Sequence, residues 1–423
     1  MLINILLSCF AGSSMENPLQ LSMVNFTKSA YIIVEGEQIA TKFFIVRSGK
    51  VLISKEFEVV EEQDGNILGP GDFFGVISTM SAHSHIENAQ ALTDVSLIAV
   101  QKDQYGLLIE KNTPIAMKIL QSFSRKMRYM DEALTKIALQ KTAQETPDHL
   151  FQVAEYYAKQ NKYNHAYFAY YQYVRFCPNG ENIDLAKQRM AKIKPYSKAV
   201  YLVEKSDEIT RTYPKDTMIF TESQPGQELY IIQKGSVKIT KIVDDKEILI
   251  AILKTGDIFG EMSLLENKPR SASAIAYEDA SIMAVNKVNF ERMVTQQPQM
   301  ITRLTQLLSE RIWLMYGQLR NTQLSNPLGK IYNALWLQLE KARVNINPKT
   351  PYTFNMGPKE LLEMVGPMKE ADGGSLLAEL FSNKKIKILD NKVFTSDTDE
   401  IQKQAAYYRK MEKINMSRRK SKT

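Results

Sequence analysis

Cysteine is nearly absent: Cys9 and Cys177 are the only two in 423 residues. So few thiols build no disulfide framework, and a reducing compartment suits them. Histidine is equally scarce, with four residues scattered along the chain, which speaks against a thiol–imidazole metal site. No apolar run approaches the ~20 residues that cross a bilayer, so a cytoplasmic chain with no membrane partner is expected. The apolar start "MLINILLSCFAGSS" has no Lys or Arg ahead of it, against an export or lipid signal. Met15 is an alternative start, and residues 1–21 read as a disordered leader. Charge of either sign is not in excess: 54 basic residues face 47 acidic ones, and the net +7 names no partner by itself. There is no Walker loop, no G-x-S-x-G elbow and no H-E-x-x-H. A non-enzyme without a cofactor is therefore expected.

What the chain does have is a repeat. "GDFFGVISTMSAHSHIENAQA" (71–91) aligns without a gap on "GDIFGEMSLLENKPRSASAIA" (256–276), 185 positions on. Upstream, "AYIIVEGEQIATKFFIVRSGKVLISKE" (30–56) matches "MIFTESQPGQELYIIQKGSVKITKI" (218–242). Short alternating strands punctuated by glycine predict an antiparallel β-roll in each copy. Helical patterns follow at 112–141 and 297–321. A chain of this length is too long for one core, and the repeat supplies two: 22–141 and 197–323.

Between them, residues 142–196 are helical. Ala154, Tyr157, Tyr163, Ala166, Tyr170 and Pro178 alternate small and aromatic positions in a way that resembles a tetratricopeptide hairpin, over little more than one repeat. Such an insert either braces the rolls or presents a peptide-binding face. After "NTQLSNPLGKI" come three helical stretches, the last two at 356–366 and 374–383. The alternating "KKIKILDNKVFTS" (384–396) then has Asp-Asn at its turn. Helix, helix, helix, hairpin is the order of a winged helix, placed at 324–401. Residues 402–423 carry eight basic residues against one acidic and read as a helix fraying into a disordered tail. The fold class is thus α+β: two antiparallel β-rolls with long helices, a helical-hairpin insert and a winged-helix-like domain.

The stretch 260–274 carries chemistry. Gly260 lets backbone approach a ligand, and the turn after it offers amides to an anion. Arg270 adds a guanidinium that can take two phosphate oxygens. Glu261 is an acceptor, unsuited to phosphate but suited to a sugar hydroxyl. Phosphate and ribose together describe a nucleotide, and small residues after Arg270 let its ring sit close. In the first copy the same positions hold Val76, His85 and Ile86. Val76 accepts nothing, and a neutral imidazole is a poor phosphate partner.

"FGEMSLLENKPRSASA" resembles the phosphate-binding cassette of cyclic-nucleotide-binding domains, as in the catabolite activator (Crp/Fnr-like) regulators and the regulatory subunits of cyclic-AMP-dependent kinases. The resemblance implies that Glu261 holds a ribose 2′-hydroxyl and Arg270 the cyclic phosphate. Gly260, Met262, Ser263, Ser271 and Ala272 would complete the cradle. It implies a cyclic nucleotide, cyclic AMP or cyclic GMP, as ligand of the second roll, and a first roll that has lost that ligand. Helix 297–321 resembles the activators' dimer helix. Met315 and Tyr316 stand where those proteins place a threonine–serine pair against adenine, so Tyr316 is a candidate to stack on the base.

A homodimer is expected through Ile301, Leu304, Leu307, Leu308, Ile312 and Met315. DNA is an expected partner on family architecture, although helix 368–382 opens on Asp372, Gly373 and Gly374 and lacks base-reading side chains after Lys369. Transcription control is the leading expectation. The competing one is a protein-interaction scaffold without specific DNA binding.

Overall fold

The computed structural model describes residues 19, 21–36, 39–55, 66–139, 147–198, 209–243, 246–364 and 370–420. The leader proposed at 1–21 therefore lies almost entirely outside the described residues. Eight strands build the first roll: β1 (Ser22–Phe26), β2 (Tyr31–Ile33), β3 (Lys42–Ser48), β4 (Val51–Ser54), β5 (Ile67–Leu68), β6 (Phe73–Phe74), β7 (Asn88–Ala91) and β8 (Val95–Gln101). They form two antiparallel sheets, β1-β8-β3-β6 and β2-β7-β4-β5. Between them Phe44, Val46, Val51, Phe74 and Leu97 are buried, as period-2 alternation on two facing sheets requires. Helix α1 (Val76–Ser81) interrupts the strands; α2 (Tyr105–Lys111) and the long α3 (Thr113–Leu139) follow them.

Helices α4 (Pro147–Lys159), α5 (Tyr163–Phe176) and α6 (Ile183–Ile193) form the insert. The expected hairpin is thus a three-helix unit, because Ala186 and Ile193 cover the tyrosine-rich face that two helices alone would leave open. It braces the second roll: Lys162 pairs with Glu247 at 2.7 Å, and its core continues into Met218, Ile242 and Ile275.

The second roll repeats the first strand for strand: β9 (Thr210–Tyr213), β10 (Met218–Phe220), β11 (Glu228–Lys234), β12 (Ser236–Val243), β13 (Lys246–Lys254), β14 (Ile258–Phe259), β15 (Ser273–Ala276) and β16 (Ala280–Asn286). The sheet orders β14-β11-β16-β9 and β10-β15-β12-β13 are those of the first roll shifted by eight strands. Helix α7 (Glu261–Glu266) takes the place of α1, and α8 (Lys287–Gln296) and α9 (Pro298–Gln323) follow.

The two halves are not strung out side by side. Helix α9 packs on α3 and on α1 of the first roll, while α3 packs on α7 of the second. Each long helix therefore covers the other half's cassette helix. Of the stripe expected at a homodimer interface, Ile301, Leu304, Leu308 and Ile312 are buried inside this chain, and Leu307 and Met315 are half-buried. A hydrophobic stripe is satisfied by any complementary surface, and the first half supplies one in cis.

The C-terminal region runs α10 (Pro327–Lys341), β17 (Tyr352–Thr353), α11 (Pro358–Glu363), α12 (Glu370–Ser382), β18 (Ile386–Leu389), β19 (Lys392–Thr395) and α13 (Thr398–Lys420). The sheet order is β17-β19-β18. Asp390 and Asn391 both take positive φ (48° and 59°) at the hairpin turn, the conformation this pair tolerates best. The basic tail is helical through residue 420 and is docked as far as Glu412. Ile401, Ala405 and Glu412 of α13 are buried, Tyr408 stacks on Tyr332, and the helix packs along α10. No helix among the described residues is long and apolar enough to cross a membrane.

Candidate functional site

Strand β14 ends at Phe259, and Gly260, with a φ of 75°, starts α7. A side chain there is excluded by conformation and by space, since a Cβ would fall 2.6 Å from Nη1 of Arg270. The chain leaves α7 through Asn267 and returns at Arg270, whose N–H donates to the carbonyl of Gln224 at 2.9 Å and whose carbonyl accepts from Ser223 at 2.8 Å. The arginine is thereby fixed at both ends of its own peptide.

Arg270 is 4% exposed. Nη1 donates to the Gly260 carbonyl (2.7 Å) and to Ser263 Oγ (2.6 Å), and Nη2 to the Glu228 carbonyl (2.9 Å). The plane lies 4.2 Å from the Phe220 ring centroid, with Tyr230 on a second side at 5.4 Å. Nε has no partner. Burial works against the charge, with Tyr230, Glu228 and Glu261 acting in its favour, and a guanidinium keeps its proton regardless. Among the described residues these bonds reach only carbonyls and a hydroxyl. A buried cation with an unfilled donor and no bonded carboxylate is a site that gains from an anion.

Glu228 is locked in turn. Arg211 grips its carboxylate with two 2.8 Å bonds, and Tyr230 donates to it at 3.0 Å. Burial alone would raise this carboxyl, but the Arg211 fork holds it below its usual range. The carbonyl that takes Arg270 is thus held by its own side chain. Gly226 lies so close that a Cβ would meet Arg270 Nε at 2.3 Å.

Glu261 is 1% exposed, and its Oε1 lies 3.1 Å from Nη1 of Arg311 on α9. Met262 and Ser263 are buried in the same turn, as is Ala272 just ahead of the return strand β15, where Ala274 is fully covered. Ser271 Oγ faces the Met262 sulfur at 4.0 Å. The structure therefore brings Gly260, Glu261, Met262, Ser263, Arg270, Ser271 and Ala272 together. It does not bring Tyr316 to them. Tyr316 lies on the stretch of α9 that crosses to the first roll, where its hydroxyl donates to Glu35 at 3.3 Å and Lys55 stands 5.3 Å over its ring. The sequence reading missed Arg311, Glu228, Gly226 and the aromatic pair Phe220 and Tyr230. Each meets the cassette from at least 30 positions away, and local spacing carries no trace of them.

The same place in the first roll is built differently. Gly75 repeats the positive φ (78°), but its N–H donates at 3.0 Å to Glu87, which stands where the second roll has Ala272. A carboxylate thus takes the amide that an anion would use. Val76 and Ile86 are buried, and burial lowers the His85 pKa, keeping that ring neutral.

Comparison with known proteins agrees with this geometry. The cyclic nucleotide-binding domain model matches residues 23–112 and 210–297. The two matches stand in tandem, one on each roll. It is similar to a CRP-like cAMP-activated global transcriptional regulator of Mycobacterium tuberculosis, 23% identical over 46% of this chain and 86% of the relative. It is also similar to the cyclic AMP receptor protein of Thermus thermophilus, 35% identical over 24% of this chain and 48% of that protein. A third relative is a cAMP-dependent protein kinase regulatory subunit of Pyricularia oryzae, 32% identical over 20% of this chain and 21% of the relative.

Proposed function

We propose that this chain is a non-enzymatic, cytoplasmic regulatory protein that binds one cyclic nucleotide in its second roll and passes the occupancy to its C-terminal domain. The observation that carries the reading is Arg270, buried, with Nε unpartnered and beside the equally buried acceptor Glu261. A cyclic phosphate satisfies the first and a ribose hydroxyl the second. The relatives named for cyclic AMP favour it over cyclic GMP. In the first roll the Glu87 carboxylate and the neutral His85 oppose a phosphate, so that roll serves packing.

The C-terminal order of helix, strand, two helices and a hairpin supports a winged-helix domain, and with it transcription control through DNA. One observation favours a protein partner instead. The side of α12 open to solvent presents Asp372 and Glu379, which repel phosphates. Calorimetric titration with cyclic AMP and cyclic GMP tests the ligand, and a footprint with and without that nucleotide tests the output. Saturable binding with a nucleotide-dependent footprint supports transcription control. Binding without a footprint supports the protein partner, and no binding removes the reading.

A further inference from the structure

One of the contacts between the two halves is made twice. Arg128 on α3 donates from Nη2 to the carbonyl of Pro269 at 3.1 Å. Trp313 on α9 donates from Nε1 to the carbonyl of Ser84 at 3.1 Å. Donor and acceptor in the second contact each lie 185 positions beyond, or before, their counterparts in the first. The contact is therefore part of the repeat and not an accident of packing.

It is not the same on both sides. Trp313 offers the first roll a single neutral donor. Arg128 offers the second roll a fork: its Nε also lies 3.2 Å from Glu266 Oε2, and both side chains are buried, at 4% and 6% exposure. Ser124, one turn earlier, donates to Glu266 Oε1 at 2.7 Å, and its Oγ lies 3.3 Å from the Met262 carbonyl. Helix α3 thus grips both ends of the segment 266–270, which begins at the last residue of α7 and ends at Arg270. Pro269, the residue it holds at the far end, is bonded directly to Arg270.

We propose that the first half is a built-in support for the ligand site of the second, with Arg128 as the positioning residue that seats the 266–270 segment and so aims Arg270. This rests on the reading that the second roll takes a cyclic nucleotide. It gives the first roll a purpose without a ligand of its own: it carries α3 to the one cassette that keeps its arginine. Charge-assisted bonds from a buried guanidinium are directional, and a 266–270 segment released from them leaves Arg270 held from within the second roll alone.

The test is calorimetric titration of full-length protein with cyclic AMP, comparing wild type, Arg128→Lys, Ser124→Ala and Arg270→Lys. Arg128→Lys keeps a charge near Glu266 but cannot span to the Pro269 carbonyl, so affinity should fall about tenfold, the scale of a lost charge-assisted bond. Ser124→Ala should weaken binding in the same direction, and it keeps the test open if the Arg128 variant does not fold. In the Arg270→Lys background, Arg128→Lys should add less than about threefold, because two residues acting through one contact are non-additive. Unchanged affinity in folded Arg128→Lys, or losses that add in full, overturns the proposal and leaves the ligand reading standing. A wild type that binds neither cyclic AMP nor cyclic GMP overturns both.

Discussion

Arg311 of the long helix α9 reaches 3.1 Å from the carboxylate of Glu261 in the second roll, so the acceptor proposed for a ribose hydroxyl already has a cation beside it. One carboxylate can serve both, holding Arg311 with one oxygen and a hydroxyl with the other. Arg311 is a third exposed while Glu261 is buried. Glu261→Gln should weaken cyclic AMP binding while changing a 2′-deoxy analogue far less. Arg311→Met should weaken the ribonucleotide too, because the Glu261 carboxylate loses the ion pair that orients it. Equal losses for both analogues would show that Glu261 is structural.

Gly226 should be as sensitive as any charged residue of the site. Its backbone does not need positive φ, so alanine is tolerated by the chain, but the new Cβ would stand 2.3 Å from Arg270 Nε. The guanidinium must move and the fold need not. Gly226→Ala should therefore keep its unfolding midpoint within a few degrees and lose cyclic nucleotide affinity by at least about tenfold, as a displaced charge-assisted contact implies. Retained affinity, read by calorimetry, would place Arg270 outside the ligand contacts.

Acidity should stabilise the junction between α9 and the first roll. Burial pushes the Glu35 carboxyl up to about 7, against the pull of Arg320, the Tyr316 hydroxyl and Lys55. A raised folded-state value means that the folded protein binds the proton more tightly than the unfolded chain. The stability from this group is then fully present below the ordinary carboxylate range and is lost as pH rises through about 7. The shift corresponds to about 3 kcal/mol. Urea unfolding of Glu35→Gln should show a flatter dependence between pH 4.5 and 7 than wild type. Parallel curves would contradict the assignment.

Two neighbouring cations of α13 should behave differently. Arg409 lies 4.2 Å over the Trp336 ring and donates to Asn333 at 2.8 Å, while Lys410 is exposed. Arg409→Ala should lower stability by about 2 kcal/mol, summing a cation–π contact and a hydrogen bond. Lys410→Ala should change it by less than about 0.5 kcal/mol. Matching effects in chemical denaturation would mean that α13 is not docked on α10.

Much of this molecule is legible in its sequence because repeats and periodicity are local properties. The 185-residue offset gives both rolls. The long helices, expected at 112–141 and 297–321, run Thr113–Leu139 and Pro298–Gln323. The cassette from Gly260 to Ala272 assembles where its spacing put it. What periodicity cannot say is which surface covers a stripe. The apolar face of α9 reads equally well as a dimer interface, and only the tertiary structure shows that α1 and α3 cover it. Tyr316 was assigned to the second roll for the same reason: the helix leaves that roll before its last turns. The tail shows a different limit. Its charge run suggests a solvated end, yet Ile401, Ala405, Tyr408 and Glu412 recur at helical spacing, a weaker signal that proves the stronger guide.

The most direct test counts ligands. Native mass spectrometry of full-length protein with saturating cyclic AMP should show a single chain carrying one nucleotide. That species should be lost in Arg270→Ala and retained in His85→Ala. Two nucleotides per chain, or binding confined to a species of two chains, would contradict an account in which one roll holds the ligand and the other half of the same chain supports it.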